Sequence, residues 1–321
     1  MNSRFNASWL LRNCLKESSA KDRPPDYRGK VRDIYTLPGN RLLIVSTDRI
    51  SAFDHIFAEP ISFKGQLLNM LAWHGFQKIA DLCPHHVLEV PHPNITIAKK
   101  CSPVPVEVVV RGYLSGHAWR TYSNGLRTLC GVSMPDGLRQ NEAFPEPLLT
   151  PTTKAHEGHD EDISEAEILS GGLVSEDLWK QIRQTAIALY KRGAETARKQ
   201  GLILVDTKYE FGLFDGKLTL MDEVHTPDSS RFFYADTYQE CLDKGTPQKQ
   251  LSKEFLREWL IQEGHHAHMD SVLPALPDTL RISIFERYCE LFETLTGTRF
   301  EPVETEDFND RLSTILESHS S

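Results

Sequence analysis

The chain has no apolar run as long as a membrane span, and its first twenty residues, "MNSRFNASWLLRNCLKESSA", contain no signal-peptide core. The expectation is a cytoplasmic protein that neither crosses nor coats a membrane. Cysteine is sparse: six residues (Cys14, Cys83, Cys101, Cys130, Cys241 and Cys289) are scattered over 321, with no C-x-x-C pair and no zinc-ligand spacing. That excludes a disulfide framework and a zinc finger, and reads as reduced thiols. There is no repeat at a fixed period and no long low-complexity tract. Positive charge is in deficit too. With 36 Lys and Arg against 45 Asp and Glu the net charge is −9, so no nucleic-acid partner is expected. A G-x-x-x-x-G-K-[ST] phosphate loop is absent. A local basic cluster for a small anion is compatible with all of this.

The remaining composition is globular, at 40% hydrophobic and 25% charged residues, and the length suits two packed lobes. "YRGKVRDIYTL" and "RLLIVST" flank the turn signal "PGN" and predict a hairpin. "FKGQLLNMLAWHGFQKI" has helical spacing of Leu67, Met70, Leu71, Trp73 and Phe76. A proline-marked connection around Cys101–Pro105 separates two strands and sets the expected boundary: 1–102 as a β-rich lobe, 103–321 as a larger α+β lobe with C-terminal helices. "FPEPLLTPTTKAHEGHDEDIS" reads as a long polar segment, without an apolar residue between Ala155 and Ile163. Ser164 and Glu167 form a capping box for the next helix, and Gly201 stops the amphipathic helix after that.

Four groupings carry chemistry. In "RGKVR", read as strand, Lys30 and Arg32 point to one side next to Gly29, where a ligand approaches the backbone; two cations there suit a triphosphate. In "VVVRGYLSGHAW", Arg111 ends a strand and Ser115-Gly116 open a helix whose free N–H groups suit an anion. The polar loop with Lys154, His159 and Asp160 suits a lid over charged substrates. In "DTKYEFG…MDEVHTPDSSR", period two sets Asp206, Lys208 and Glu210 on one face of a strand, and Asp215-Gly216 turns it back toward Asp222-Glu223. A two-residue turn sets Glu223 opposite Lys208; one extra loop residue sets Asp222 opposite Glu210. Spacing admits both. Two carboxylates beside a lysine are the arrangement of a Mg-nucleotide site. Asp228 and Arg231 bracket Ser229-Ser230 in a further anion-friendly loop.

Quoted in order, "YRGKVRDIY", "TDRISAFD", "PVEVVVRGYLSG", "FPEPLLTPTTKA", "DTKYEFG" and "DEVHTPDSSRF" resemble the phosphoribosylaminoimidazole-succinocarboxamide synthase (SAICAR synthetase) family from about Tyr27 to Gly297. The resemblance implies an ATP-grasp-like two-lobe α+β fold. It implies a ligase of purine biosynthesis joining L-aspartate to carboxyaminoimidazole ribonucleotide (CAIR), with ATP as substrate and Mg²⁺ as metal. By position, Gly29, Lys30 and Arg32 would meet ATP phosphates, and Ala98 and Lys100, in the segment up to Cys101, would lie beside adenine. Arg111, His117, Asp206, Asp228 and Arg231 would hold CAIR. Glu210 and Asp222 would bind the metal, with Lys208 beside them, and this resemblance favours the register that includes Asp222. Where the family commonly has serine after "RGYLSG", this chain has His117. A monomer is expected. A small-molecule kinase is the alternative; it shares the nucleotide machinery without needing aspartate.

Overall fold

The computed structural model describes residues 4–21, 23–52, 55–154, 161–265 and 273–320. They group into two compact units, each assembled from separate stretches: Met1–His74, Val87–Lys100 and Ser252–Ser321 in the first, Gly75–His86 and Cys101–Leu251 in the second. The contiguous division at 102/103 therefore differs from this grouping at the C-terminal end, where 252–321 join the first unit.

The first unit is built on five antiparallel strands in the order Tyr27–Arg28, Arg32–Leu37, Arg41–Ser46, Ile95–Lys99, Val87–His92. The expected hairpin is present. Leu37 pairs with Arg41, and Gly39 and Asn40 take the positive φ values (71° and 54°) that such a tight turn demands. Alternation buries Tyr35, Leu37, Leu43, Val45, Ile95 and Ile97 together. Phe308, Leu312 and Leu316 join them from the helix Phe308–Ser318. These three residues, four apart, form the stripe that seats the helix on the sheet.

The second unit carries a mostly longer-stranded antiparallel sheet, ordered Ala143–Thr153, Ser102–Tyr113, Leu202–Phe214, Ser230–Tyr234, Gln250–Leu251, with Lys217–Met221 also paired to Leu202–Phe214. The helix Glu176–Lys199, capped by Ser175, buries Trp179, Ile182, Ala186 and Leu189. The Tyr190 hydroxyl donates to the Leu204 carbonyl at 2.9 Å and passes so close to Gly112 that a Cβ there would lie 1.8 Å from it. Two expectations change. Pro103 and Pro105 lie inside a strand, not in a connection. The adjoining strand's pairing reaches only Val106, so missing N–H donors are tolerated on that side. The segment "FPEPLLTPTT" is likewise a strand, its register shifting between Ala143 and Leu148 where Pro145 and Pro147 interrupt it. The Ser164–Glu167 capping box forms as expected.

Candidate functional site

The strand Leu202–Phe214 is buried on both sides. Val205, Thr207, Tyr209 and Phe211 share one side and are at most 1% exposed. On the other side Asp206 is 5% and Glu210 9% exposed, which overturns a solvated outer face. Cross-strand pairing extends this charged side over the sheet. Arg111 and Arg231 lie opposite Asp206 from its two neighbours, Glu107 lies opposite Glu210, and Thr152 lies beyond Glu107.

At one end, Lys208 Nζ donates to Glu210 Oε1 at 2.5 Å and to Glu107 Oε1 at 2.9 Å, while Lys154 Nζ engages Glu210 Oε2. Burial by itself would raise the Glu210 carboxyl, but Lys208 and Lys154 outweigh it and hold Glu210 well below the usual carboxylate range. Burial, with the like charge of Glu210, pushes Glu107 up to about 7 against the pull of Lys208. For Lys208 burial acts downward, and the two glutamates more than reverse it. Glu107 was missed by the sequence reading. Its signal was a lone carboxylate inside the apolar run "VPVEVVV".

The hairpin register corrects the expectation for Asp222. Phe214 pairs with Lys217 and Glu210 with Met221, so the turn is the two-residue Asp215-Gly216, at φ 49° and 73°. The extra loop residue that would set Asp222 opposite Glu210 is absent. The ladder ends at Met221, and Asp222 turns the chain away at φ 63°. Glu223 is then buried and accepts from Thr226 Oγ1 at 2.8 Å, so it does not continue the ladder toward Lys208. The departing loop is pinned by His225, another left-handed residue (φ 55°), hydrogen-bonded at 2.7 Å to the Tyr209 hydroxyl. The imidazole is pressed against the helix at Gly193, where a Cβ would lie 2.4 Å from it, and burial lowers its pKa to about 4. Neither Tyr209 nor His225 was singled out from sequence. The Glu210 carboxylate, held ionised, is a hard oxygen donor of the kind a divalent cation takes. Among the described residues no group of three or more His, Cys, Asp and Glu forms a metal cage, and magnesium with a nucleotide needs only one or two carboxylates.

At the other end, Asp206 Oδ2 accepts from Arg231 Nη1 at 2.8 Å and from Arg111 Nη1 at 3.3 Å, and Arg111 Nε donates to Thr150 Oγ1 at 2.9 Å. Burial lowers the Arg111 pKa, with Asp206 opposing. The Arg231 guanidinium packs on Gly116, the first residue of the helix Gly116–Ser123. A Cβ there would lie 2.0 Å from Arg231 Nη1, and φ is 54°, so this position needs glycine. Arg231, which shares Asp206 with Arg111, thus lies against a helix N-terminus. Next along the helix, His117 Nε2 donates to Asp162 Oδ2 at 2.7 Å, which holds the Asp162 carboxyl below its ordinary value. Asp162 also bridges to Thr152. Asp228 is half-buried in the turn closed by Thr226 and Ser229.

The structure therefore brings Arg111, Asp206 and Arg231 together, and separately Lys154, Lys208 and Glu210. His159 and Asp160 lie outside the described residues. Gly29, Lys30, Arg32, Ala98 and Lys100 belong to the first unit. Gly29 and Lys30 sit in a tight turn, not in a strand: Gly29 N donates to the Arg32 carbonyl, and Arg49 takes the Gly29 and Lys30 carbonyls at 3.0 and 3.1 Å. The strand-face argument for Lys30 and Arg32 therefore does not apply. Ala98 is fully buried in a middle strand between Leu42 and Val87, and Lys100 is exposed just past that strand's end.

A sequence model of the family described as SAICAR synthetase matches residues 26–272. The phosphoribosylaminoimidazole-succinocarboxamide synthase of Bacteroides thetaiotaomicron is 51% identical over 287 residues, covering 89% of this chain and 91% of that protein. The synthase of Cytophaga hutchinsonii is 50% identical over 286 residues, covering 89% and 92%. Among solved structures, the SAICAR-synthase from Saccharomyces cerevisiae complexed with SAICAR matches with a TM-score of 0.77 at 34% identity, over 90% of this chain and 100% of that one. With its motifs in order and about half of its residues shared along nearly its whole length, the chain belongs to the SAICAR synthetase family.

Proposed function

We propose that the buried charged face of the second unit is the seat of the family's reaction, and that its two ends serve different substrates. The chain is an ATP-dependent carbon–nitrogen ligase: it joins L-aspartate to the carboxylate of CAIR in purine biosynthesis, giving SAICAR, ADP and phosphate. A carboxylate is a poor acyl donor because its oxygen leaves badly. Transfer of the γ-phosphoryl group of ATP to that oxygen makes phosphate the leaving group. The aspartate amine then attacks the acyl carbon, loses a proton, and the amide forms as phosphate departs.

Arg111 and Arg231, oriented by their shared Asp206, are assigned to the anionic groups of CAIR, which forked guanidinium donors match. His117 and Asp228 are assigned to the rim of that site. Glu210 and Asp222 are assigned as ligands of Mg²⁺, which supplies charge neutralisation to the phosphates when bound. Lys208, fixed between Glu107 and Glu210, holds a cation where charge builds up during transfer. The first unit is assigned to ATP in an ATP-grasp-like architecture: Gly29, Lys30 and Arg32 to phosphates, Ala98 and Lys100 to adenine. Lys154, His159 and Asp160 are assigned to a segment that keeps water from the acyl phosphate. A cytoplasmic monomer accords with this reading.

The observation that carries the reading is the row Arg111–Asp206–Arg231 on the same sheet face as Lys208 and Glu210. The test is phosphate release from ATP and CAIR, with and without L-aspartate. Release and amide formation that both require aspartate support the ligase. Stoichiometric phosphorylation of CAIR with no aspartate requirement would establish a kinase instead.

A further inference from the structure

Both oxygens of Glu210 are engaged by lysines, and the two lysines differ in how they are held. Lys208 is two residues away on the same strand and is gripped again by Glu107 at 2.9 Å. Lys154 follows the end of the strand Ala143–Thr153, its backbone N–H donating to the Pro105 carbonyl at 3.2 Å. Its side chain is 37% exposed and reaches Glu210 Oε2 from outside the strand that carries the carboxylate.

We infer that Lys154 is an exchangeable cation that competes with a divalent metal ion for Glu210 Oε2. This rests on the reading of Glu210 as a metal ligand. A magnesium ion takes a carboxylate oxygen at about 2.0–2.1 Å and tolerates little departure from octahedral geometry. An ammonium group held by that oxygen occupies the same lone pairs. A dication added here crowds three cations around one carboxylate, and the lysine held less firmly gives way. Lys208 is fixed by its strand and by Glu107. Lys154 has a long flexible stem on an anchored backbone, so its ammonium swings while its Cα stays. The displaced charge then stands beside the site that receives the phosphates, so the exchange redirects a cation toward them.

The test uses the full chain without nucleotide, CAIR or aspartate, with Mn²⁺ as the probe and free Mn²⁺ read by electron paramagnetic resonance. Lys154→Met should bind Mn²⁺ several-fold more tightly than the unmodified chain, Lys154→Arg should stay close to it, and Glu210→Gln should lose about tenfold or more. In parallel, acetylation of Lys154 is followed by peptide mass spectrometry as Mg²⁺ is added, with exposed Lys21 as the internal reference. Its relative rate should rise several-fold. Mn²⁺ affinity in Lys154→Met that is unchanged or weaker overturns the exchange. So does Lys154 reactivity that Mg²⁺ leaves unmoved, since tightening in Lys154→Met would then be a through-space charge effect alone. If instead Glu210→Gln keeps full Mn²⁺ affinity, the metal assignment itself falls, which is a distinguishable failure.

Discussion

The two ends of the charged sheet face differ in the kind of cation they carry. Around Glu210, two carboxylates meet two lysines. Around Asp206, one carboxylate is shared by two arginines, one of which packs on a helix N-terminus. Both carboxylates stand on one strand, four residues or about 13 Å apart. An ammonium group is a point charge on a flexible stem and can be traded for another cation. A planar guanidinium fork is fixed in orientation and matches the oxygens of an anion. Density of charge is similar at both ends, so it is the type of cation that indicates which ligand each end takes.

The largest effect on this contrast is expected from Asp206→Asn. Two buried guanidinium groups then lose the carboxylate they share, which costs about 3–5 kcal/mol. Denaturant unfolding should register the loss, and inorganic phosphate should restore part of it by standing in for the missing negative charge. A variant as stable as the parent, with no response to phosphate, would dissolve the distinction between the ends. Next is Glu210→Gln, expected to lower the rate of SAICAR formation about 10²–10³-fold. Near-normal turnover at modest Mg²⁺ would remove the metal from this end. Arg111→Lys keeps the charge but loses the forked geometry, and should weaken CAIR binding by about 1.5–3 kcal/mol while sparing ATP. Calorimetric titration with each ligand decides this, since an equal loss for both would erase the division of labour.

The smallest effect concerns acid. His117 holds Asp162 below its ordinary value of 3.8, so the pair's contribution is complete above that value and is lost as pH falls through the lower folded value. His117→Gln should lower stability above that acid range and flatten its dependence on pH within it. Equal acid sensitivity in both proteins would show that the pair contributes nothing measurable.

Period-two reading of Asp206, Lys208 and Glu210 found the charged face, because alternation along a strand is local. It could not reveal that this face is covered, since coverage depends on strands far away in sequence: Glu107 reaches Lys208 across 101 residues. Arg111 was legible in its place near a strand end before Ser115-Gly116. Its sharing of Asp206 with Arg231 depends on the order of three strands, which no local pattern encodes. Asp222 shows a different limit. Spacing left two registers open, and the one favoured by the resemblance, with Asp222 opposite Glu210, is not the one formed; a single left-handed residue then takes the chain out of the ladder, and aspartate gives little warning of that. The turn at Gly29-Lys30 escaped because "RGKVR" has no residue that forbids a strand.

The return of residues 252–321 to the first unit has a consequence for the order of synthesis. The last strand of the second unit, Gln250–Leu251, leaves the ribosome while the sheet begun at Tyr27 still lacks its C-terminal cover. Tyr35, Leu43 and Val45 wait for Phe308, Leu312 and Leu316, an interval of about 13–53 s at about 5–20 residues per second. The part of the chain made first is thus finished last, and its uncovered sheet is the surface a nascent-chain chaperone would meet.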